Sequence, residues 1–224
     1  MLKKLFAPNK IKLSKSSSPA LKKFSESMKI GYMEWHDGVS YDLKSLKEIS
    51  GDELKQVESL LISRIERDWR DVEALAEIDS EEALLALKGA INSKNLEVRV
   101  RAAEKLSQKG VLNSLEVELF LVKTIPVIPF YGQKFIIQLA SQYPTQAVKR
   151  TLLWSTLYGN DDIRHYAAAL IYQLYGITTS SFDLNYRTFF FRFRDKNLSN
   201  RKLAYEELCK TIQVNPKWAI EKRA

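Results

Sequence analysis

The chain has 224 residues, 45% hydrophobic and 28% charged, the balance of a soluble globular protein with room for one sizeable core or a row of stacked units. Eight glycines and six prolines are too few for a turn-rich all-β fold, and the single cysteine, Cys209, excludes an intramolecular disulfide and suits a reducing, cytoplasmic setting. No apolar run approaches the roughly 20 residues of a bilayer span, and the N-terminus lacks the apolar stretch of a secretory signal. The formal net charge is +8, but residues 1–30 hold eight lysines against one acid, Glu26, so the rest of the chain carries only +1.

In chain order, residues 1–30 read as a basic, flexible arm. The low-complexity stretch "SKSSSPA" has little to bury, and the lysines can touch nucleic acid, a membrane surface or an acidic protein. Residues 31–50, with "EWHDG", read as an irregular entry segment. From residue 51 the pattern is helical. Ser50 and Glu53 form an S-x-x-E capping box ahead of Leu54, Val57, Leu61 and Ile65 at helical spacing. Asp68 is the expected N-cap of a helix carrying Val72, Leu75 and Ile78, and Ser80 opens another with Leu84, Leu87 and Ile91 on one stripe. The next helix spaces Val98, Ala102 and Leu106 by four and ends at Gly110, where a C-terminal cap needs positive φ. In "TIPVIPFYG", Pro126 and Pro129 must end a helix.

The stretch "LEVRVRAAEKLSQKG" recurs. Arg99, Ala102 and Leu106 align with Arg164, Ala167 and Ile171 at an offset of 65, and with Arg201, Ala204 and Leu208 at an offset of 102. A fainter copy at "GQKFIIQLA" has an offset of 33. These fit a repeat of roughly 33 residues, in which stacked helix pairs bury faces that one hairpin cannot. The pattern V-R-x-x-A-A-x-x-L after Asn or Asp resembles the HEAT-like repeats of the phycobilisome-lyase type over residues 65–212. Residues 32–216 also look like a bacterial group of HEAT-repeat proteins. The resemblance implies an armadillo-like α-solenoid of antiparallel helix pairs, four to five repeats over residues 51–224, irregular at Pro126 and Pro129.

No motif for catalysis emerges. The two histidines, His36 and His165, lie in different units, and no C-x-x-C or H-x-x-x-H offers a zinc ligand set. His36 and Asp37 are adjacent, so they are expected to point apart. His165 reads as surface and Cys209 as a buried, inert thiol. The glycines match no nucleotide-binding spacing. No catalytic residue, metal or cofactor is therefore expected.

Contact residues are the remaining candidates. Glu66 to Glu82 is strongly acidic and reads as a solvated face or an acidic docking patch that includes Asp68, Asp71 and Glu73. The following helix reverses the sign with Arg99 and Arg101. Arg99, Arg164 and Arg201 share one repeat slot, expected to pair with acids or loop carbonyls, with a phosphate ladder as the functional alternative. HEAT-like repeats also build alkylpurine DNA glycosylases, which resemble this chain in size and use tryptophans and an aspartate; Trp154 with Asp161 or Asp162 is the nearest equivalent. In "FDLNYRTFFFRFR", Tyr186, Phe189 and Phe193 align with Leu84, Leu87 and Ile91 as the inward stripe of a first helix, and Phe190 widens it. Phe191 lies off the stripe and, with Arg187 and Arg194, is left to face a partner. The leading expectation is a non-enzymatic protein-binding scaffold, in one concrete form an immunity protein that occludes a toxin. The alternatives are a nucleic-acid-binding protein of the glycosylase kind and an accessory factor for a prosthetic-group lyase.

Overall fold

The computed structural model describes residue 11 and residues 13–220. Within them the protein is all-α, with fourteen helices linked by short turns and no strand. The chain divides into two compact units, Met1–Lys109 and Gly110–Ala224, where the sequence suggests one repeat domain over 51–224.

Unit 1 contains α1 (Pro19–Ser27), α2 (Tyr32–His36), α3 (Leu43–Lys47), α4 (Gly51–Arg64), α5 (Trp69–Ala76), α6 (Glu81–Ala90) and α7 (Leu96–Gln108). The caps follow the sequence signals: Asp68 accepts the Arg70 N–H at 2.9 Å, Ser80 that of Ala83 at 3.0 Å, and Asn95 that of Glu97 at 3.1 Å. Each such cap is worth about 1 kcal/mol. Gly110 closes α7 at φ +69°, a left-handed conformation that favours glycine. Helix α5 packs against α4, α6 and α7, and all eight of its residues are buried. It meets the apolar stripes of its neighbours through Val57, Leu61, Leu87, Val98 and Leu106, all fully buried, each contributing about 1.5–3 kcal/mol.

Two expectations fail in unit 1. The capping box of Ser50 and Glu53 does not form: the Ser50 side chain caps nothing, and Glu53 instead accepts Ser18 N–H at 2.9 Å and Ser18 Oγ–H at 2.6 Å. Residues 19–27 are correspondingly not a loose arm. Ser18 caps α1, Leu21 and Phe24 are buried, and α1 packs on α3. Lysines 3, 4, 10 and 12 of the basic arm lie outside the described residues.

Unit 2 contains α8 (Ser114–Thr124), α9 (Gln133–Gln142), α10 (Gln146–Tyr158), α11 (Arg164–Leu174), α12 (Arg187–Phe191), α13 (Leu198–Thr211) and α14 (Lys217–Ile220). Helix α10 is its hub, touching α8, α11, α13 and α14. Ala167, Ala168 and Ala169 are fully buried in α11, and their small side chains let α10 and α11 approach closely. Helix α8 ends at Thr124, just before Pro126, as expected. Two short 3-10 turns, Ile125–Val127 and Phe130–Gly132, carry the chain to α9. A Cβ at Gly132 would lie 2.5 Å from Ile128 Cδ1, so a larger residue here would force the Ile128 side chain to move.

The three recurring arginines make one recurring contact. Arg99 donates to Ser93 O (Nε, 2.9 Å), Arg164 to Gly159 O (Nε, 3.0 Å) and Arg201 to Asp195 O (2.6 Å) and Lys196 O (3.0 Å). Each thus fastens the loop five or six residues before it. At the offset of 102 the match extends to the turn itself. Asn95 N–H donates to Ser93 Oγ and Asn197 N–H to Asp195 Oδ1, and each asparagine caps the helix that follows. Asn95, and Asn160 in the turn before Arg164, also reach back one helix pair, Asn95 Nδ2 to Arg67 O at 3.3 Å and Asn160 Nδ2 to Ile128 O at 2.6 Å.

Candidate functional site

The candidate contact residues separate by unit. In unit 1, Asp68, Asp71, Glu73, Arg99 and Arg101 do not form an open docking patch. Asp71 and Glu73 face inward on the wholly buried α5. Asp71 accepts from Tyr41 Oη at 3.2 Å and lies 3.4 Å from Arg64 Nε. Glu73 accepts from Ser40 Oγ at 2.9 Å and is ion-paired to Arg101, which also pairs with the buried Glu104. Arg70 is fully buried; it donates to Asp68, to Val39 O (2.5 Å) and to Glu34 O (3.2 Å), with its guanidinium 4.5 Å from the Trp69 ring. Charge that sequence reading assigned to a solvated face is therefore a network that fastens residues 34–41 to α5. Exposure decides this, because a carboxylate on a helix with no solvent-facing side must be paired to be tolerated.

Burial also sets the protonation of this network. It pushes the Asp71 carboxyl up to about 7, with Arg64 opposing and the Asp68 charge adding to the rise. Glu97 is likewise pushed up to about 7, by burial and then by Asp68.

Unit 2 brings its features to one end, where α10 finishes and α11 and α13 begin. The turn after α8 is fastened there by Asn160 N–H to Pro126 O (3.0 Å), by Asn160 Nδ2 to Ile128 O and by Phe130 N–H to Asp162 Oδ2 (3.2 Å). This rigid mount holds Val127, Phe130 and Tyr131 57–60% exposed, the two rings in edge contact at 5.5 Å. Three residues beyond Asp162, His165 is buried, contrary to the surface position expected for it. Burial and then the positive charge of Arg194 push its imidazole down to about 4. The His165 ring meets Tyr166 at 4.2 Å, Phe191 at 5.6 Å and Phe182 at 6.1 Å.

The aromatic run is helical in pieces: a 3-10 turn Leu184–Tyr186, α12, and a 3-10 turn Arg192–Arg194. Phe190 and Phe193 are fully buried, whereas Tyr186, expected on the inward stripe, is 37% exposed. The change of helix type shifts the stripe, because 3-10 turns repeat every three residues rather than every 3.6. Phe191 is half-buried, with Arg187 5.0 Å and Arg194 5.6 Å from its ring centroid.

Trp154 is half-buried and packs on Tyr158 at 5.3 Å. The carboxylates expected beside it are engaged elsewhere, Asp161 with Arg164 at 2.7 Å and Asp162 with the Phe130 N–H. Arg164 is occupied by Asp161 and Gly159 O, so of the unit 2 candidates Arg194 is the exposed one, with Trp154 and Phe191 half-buried. Cys209 is buried, which pushes its thiol up to about 11. His36 and Asp37, expected to point apart, are joined by a 3.0 Å contact on the surface. The exposed Phe130–Tyr131 pair was not singled out from sequence; the signal was the irregular "TIPVIPFYG" turn that breaks the repeat.

Among the described residues, no group of three or more His, Cys, Asp or Glu side chains is placed to hold a metal ion. No helix among them is long and apolar enough to cross a membrane. No family model matches the chain, and no curated protein and no solved structure matches it either.

Proposed function

We propose that this chain is a HEAT-like helical-repeat scaffold that acts by binding another protein and has no catalysis of its own. The repeated fastening of the loops before Arg99, Arg164 and Arg201, with the matched turns at Asn95 and Asn197, supports the repeat reading. The observation that carries protein binding is the turn holding Val127, Phe130 and Tyr131 in solvent on a fastened backbone. Exposed aromatic side chains on a rigid mount are the anchors of protein interfaces, because they bury large areas with little loss of side-chain freedom. The concrete form we favour is a cytoplasmic immunity-type inhibitor that occludes a toxin.

The test is affinity purification from cells that express the chain natively, with Phe130→Ala/Tyr131→Ala in parallel. A protein that co-purifies in stoichiometric amount with wild type and is lost from the double variant is the expected result. Recovery of no protein, or equal recovery by both forms, refutes the reading.

A nucleic-acid role is the second reading, favoured by charge. Residues 110–224 hold 15 lysines and arginines against nine acids, while residues 31–109 are net acidic, so the neutral sum of +1 conceals a basic second unit. Phosphate contacts supply most non-specific affinity for nucleic acid. An electrophoretic shift series at low salt, with and without residues 1–30, tests it: binding that disappears with those residues belongs to the lysine-rich segment alone.

A further inference from the structure

The side chains of Arg187 and Arg194 differ from the other arginines whose contacts are described above. Arg64, Arg70, Arg101, Arg164 and Arg192 each have a carboxylate, and Arg99 and Arg201 bond loop carbonyls. Arg187 and Arg194 are exposed and take neither; both instead lie against the ring of Phe191, at 5.0 and 5.6 Å. The neighbouring acids are committed to backbone N–H groups: Asp183 to Asn185, Asp195 to Asn197, and Asp162 to Phe130. Phe191 is in turn seated against His165 and Phe182. Two guanidinium groups are thus held beside one fixed ring with no anion between them.

A guanidinium that lies on an aromatic ring keeps its in-plane N–H edge free, and that edge matches a carboxylate with two parallel hydrogen bonds. The ring also limits the side-chain freedom that binding would otherwise have to remove. With two cations drawn to it, the Phe191 ring is poorly placed to stack a nucleobase, so the ligand chemistry it favours is charge recognition. Leu184 and Tyr186, exposed and just before the clamp in the chain, add apolar surface close to it in sequence.

We propose that Arg187 and Arg194, spaced by Phe191, form a clamp for two carboxylates of an acidic segment of a partner protein. The inference rests on the protein-binding reading above and adds the chemistry of the partner. A carboxylate held at Arg194 would also offset that residue's charge, which adds to burial in depressing His165, and so gives a reporter that a purely structural role would not move.

The full chain is titrated with a fluorescent 12-residue peptide of alternating Glu and Asp at physiological salt. Arg187→Gln/Arg194→Gln is the test variant, Lys55→Gln/Lys88→Gln the charge-matched control on exposed lysines outside the basic segment, and an oligothymidylate of equal length the competing probe. The proposal expects at least tenfold weaker peptide binding by the arginine variant, less than about twofold by the lysine control, and an upward move of the His165 titration in wild type when peptide is bound. It is overturned if the peptide fails to bind, if both variants weaken equally, if His165 does not move, or if the oligonucleotide binds more tightly than the peptide through the same arginines. The Phe130→Ala/Tyr131→Ala variant separates the two claims. A protein partner lost from that variant but retained by the arginine variant removes the clamp and leaves the scaffold reading standing.

Discussion

Replacing Asp71 with Asn should stabilise unit 1 in a pH-dependent way. Asp71 is fully buried on α5, and its carboxyl is pushed from 3.8 up to about 7, chiefly by burial. A carboxyl with a raised folded-state pKa is at its most favourable when protonated, so its penalty is absent below the unfolded value and grows as pH rises towards the folded one. At 1.36 kcal/mol per pH unit, the penalty is about 2 kcal/mol at pH 5 and about 4 kcal/mol at pH 8. Asparagine keeps the shape and an acceptor for Tyr41 Oη, and Arg64 keeps its bond to the same hydroxyl at 3.1 Å. The variant's stability relative to wild type should therefore improve by roughly 2–3 kcal/mol between pH 5 and pH 8. Urea denaturation at the two pH values, with amide exchange of α5 as the reporter for unit 1, measures the difference. A difference that stays constant within about 0.5 kcal/mol, or that moves the other way, would refute the reasoning. It would mean that Arg64 holds Asp71 ionised across the range.

His165 should have the opposite sign. Its folded value lies near 4, below the ordinary 6.5, so unit 2 loses about 2 kcal/mol as pH falls from 7 to 5, and His165→Gln should remove that slope in acid denaturation. Arg70→Met should cost about 3–5 kcal/mol, because it leaves Asp68 and the Val39 and Glu34 carbonyls without their buried donor. Limited proteolysis should then cut within residues 34–41, and Arg70→Lys, lacking the fork, should not restore protection. In the aromatic run, Phe193→Ala should cost about 3–5 kcal/mol by thermal melting, whereas the half-buried Phe191→Leu should cost under about 1.5 kcal/mol. Cys209, buried and with its thiol pushed up to about 11, should resist alkylation at pH 8 until the protein is denatured.

Helix class, the caps at Asp68 and Ser80, the end of α7 at Gly110 and the break at Pro126 were all legible in the sequence. Each is written within a turn or two of the backbone it controls, through the period of apolar residues or a side chain that reaches its own N–H groups. Carbonyl partners for the repeated arginines were legible for the same reason, since each fastens a loop five or six residues away. Tertiary structure alone decided the rest. Glu53 serves Ser18, 35 positions earlier, in place of its own cap. Asp71 and Glu73 are enclosed because Tyr41 and Ser40 arrive from about 30 positions upstream and Arg101 from downstream. Which charges stay in water depends on which distant side chains come to neutralise them, and hydrophobic period carries no record of that. For Asp71 this removed a docking surface. For Arg187 and Arg194, it left two guanidinium groups on the Phe191 ring without a carboxylate.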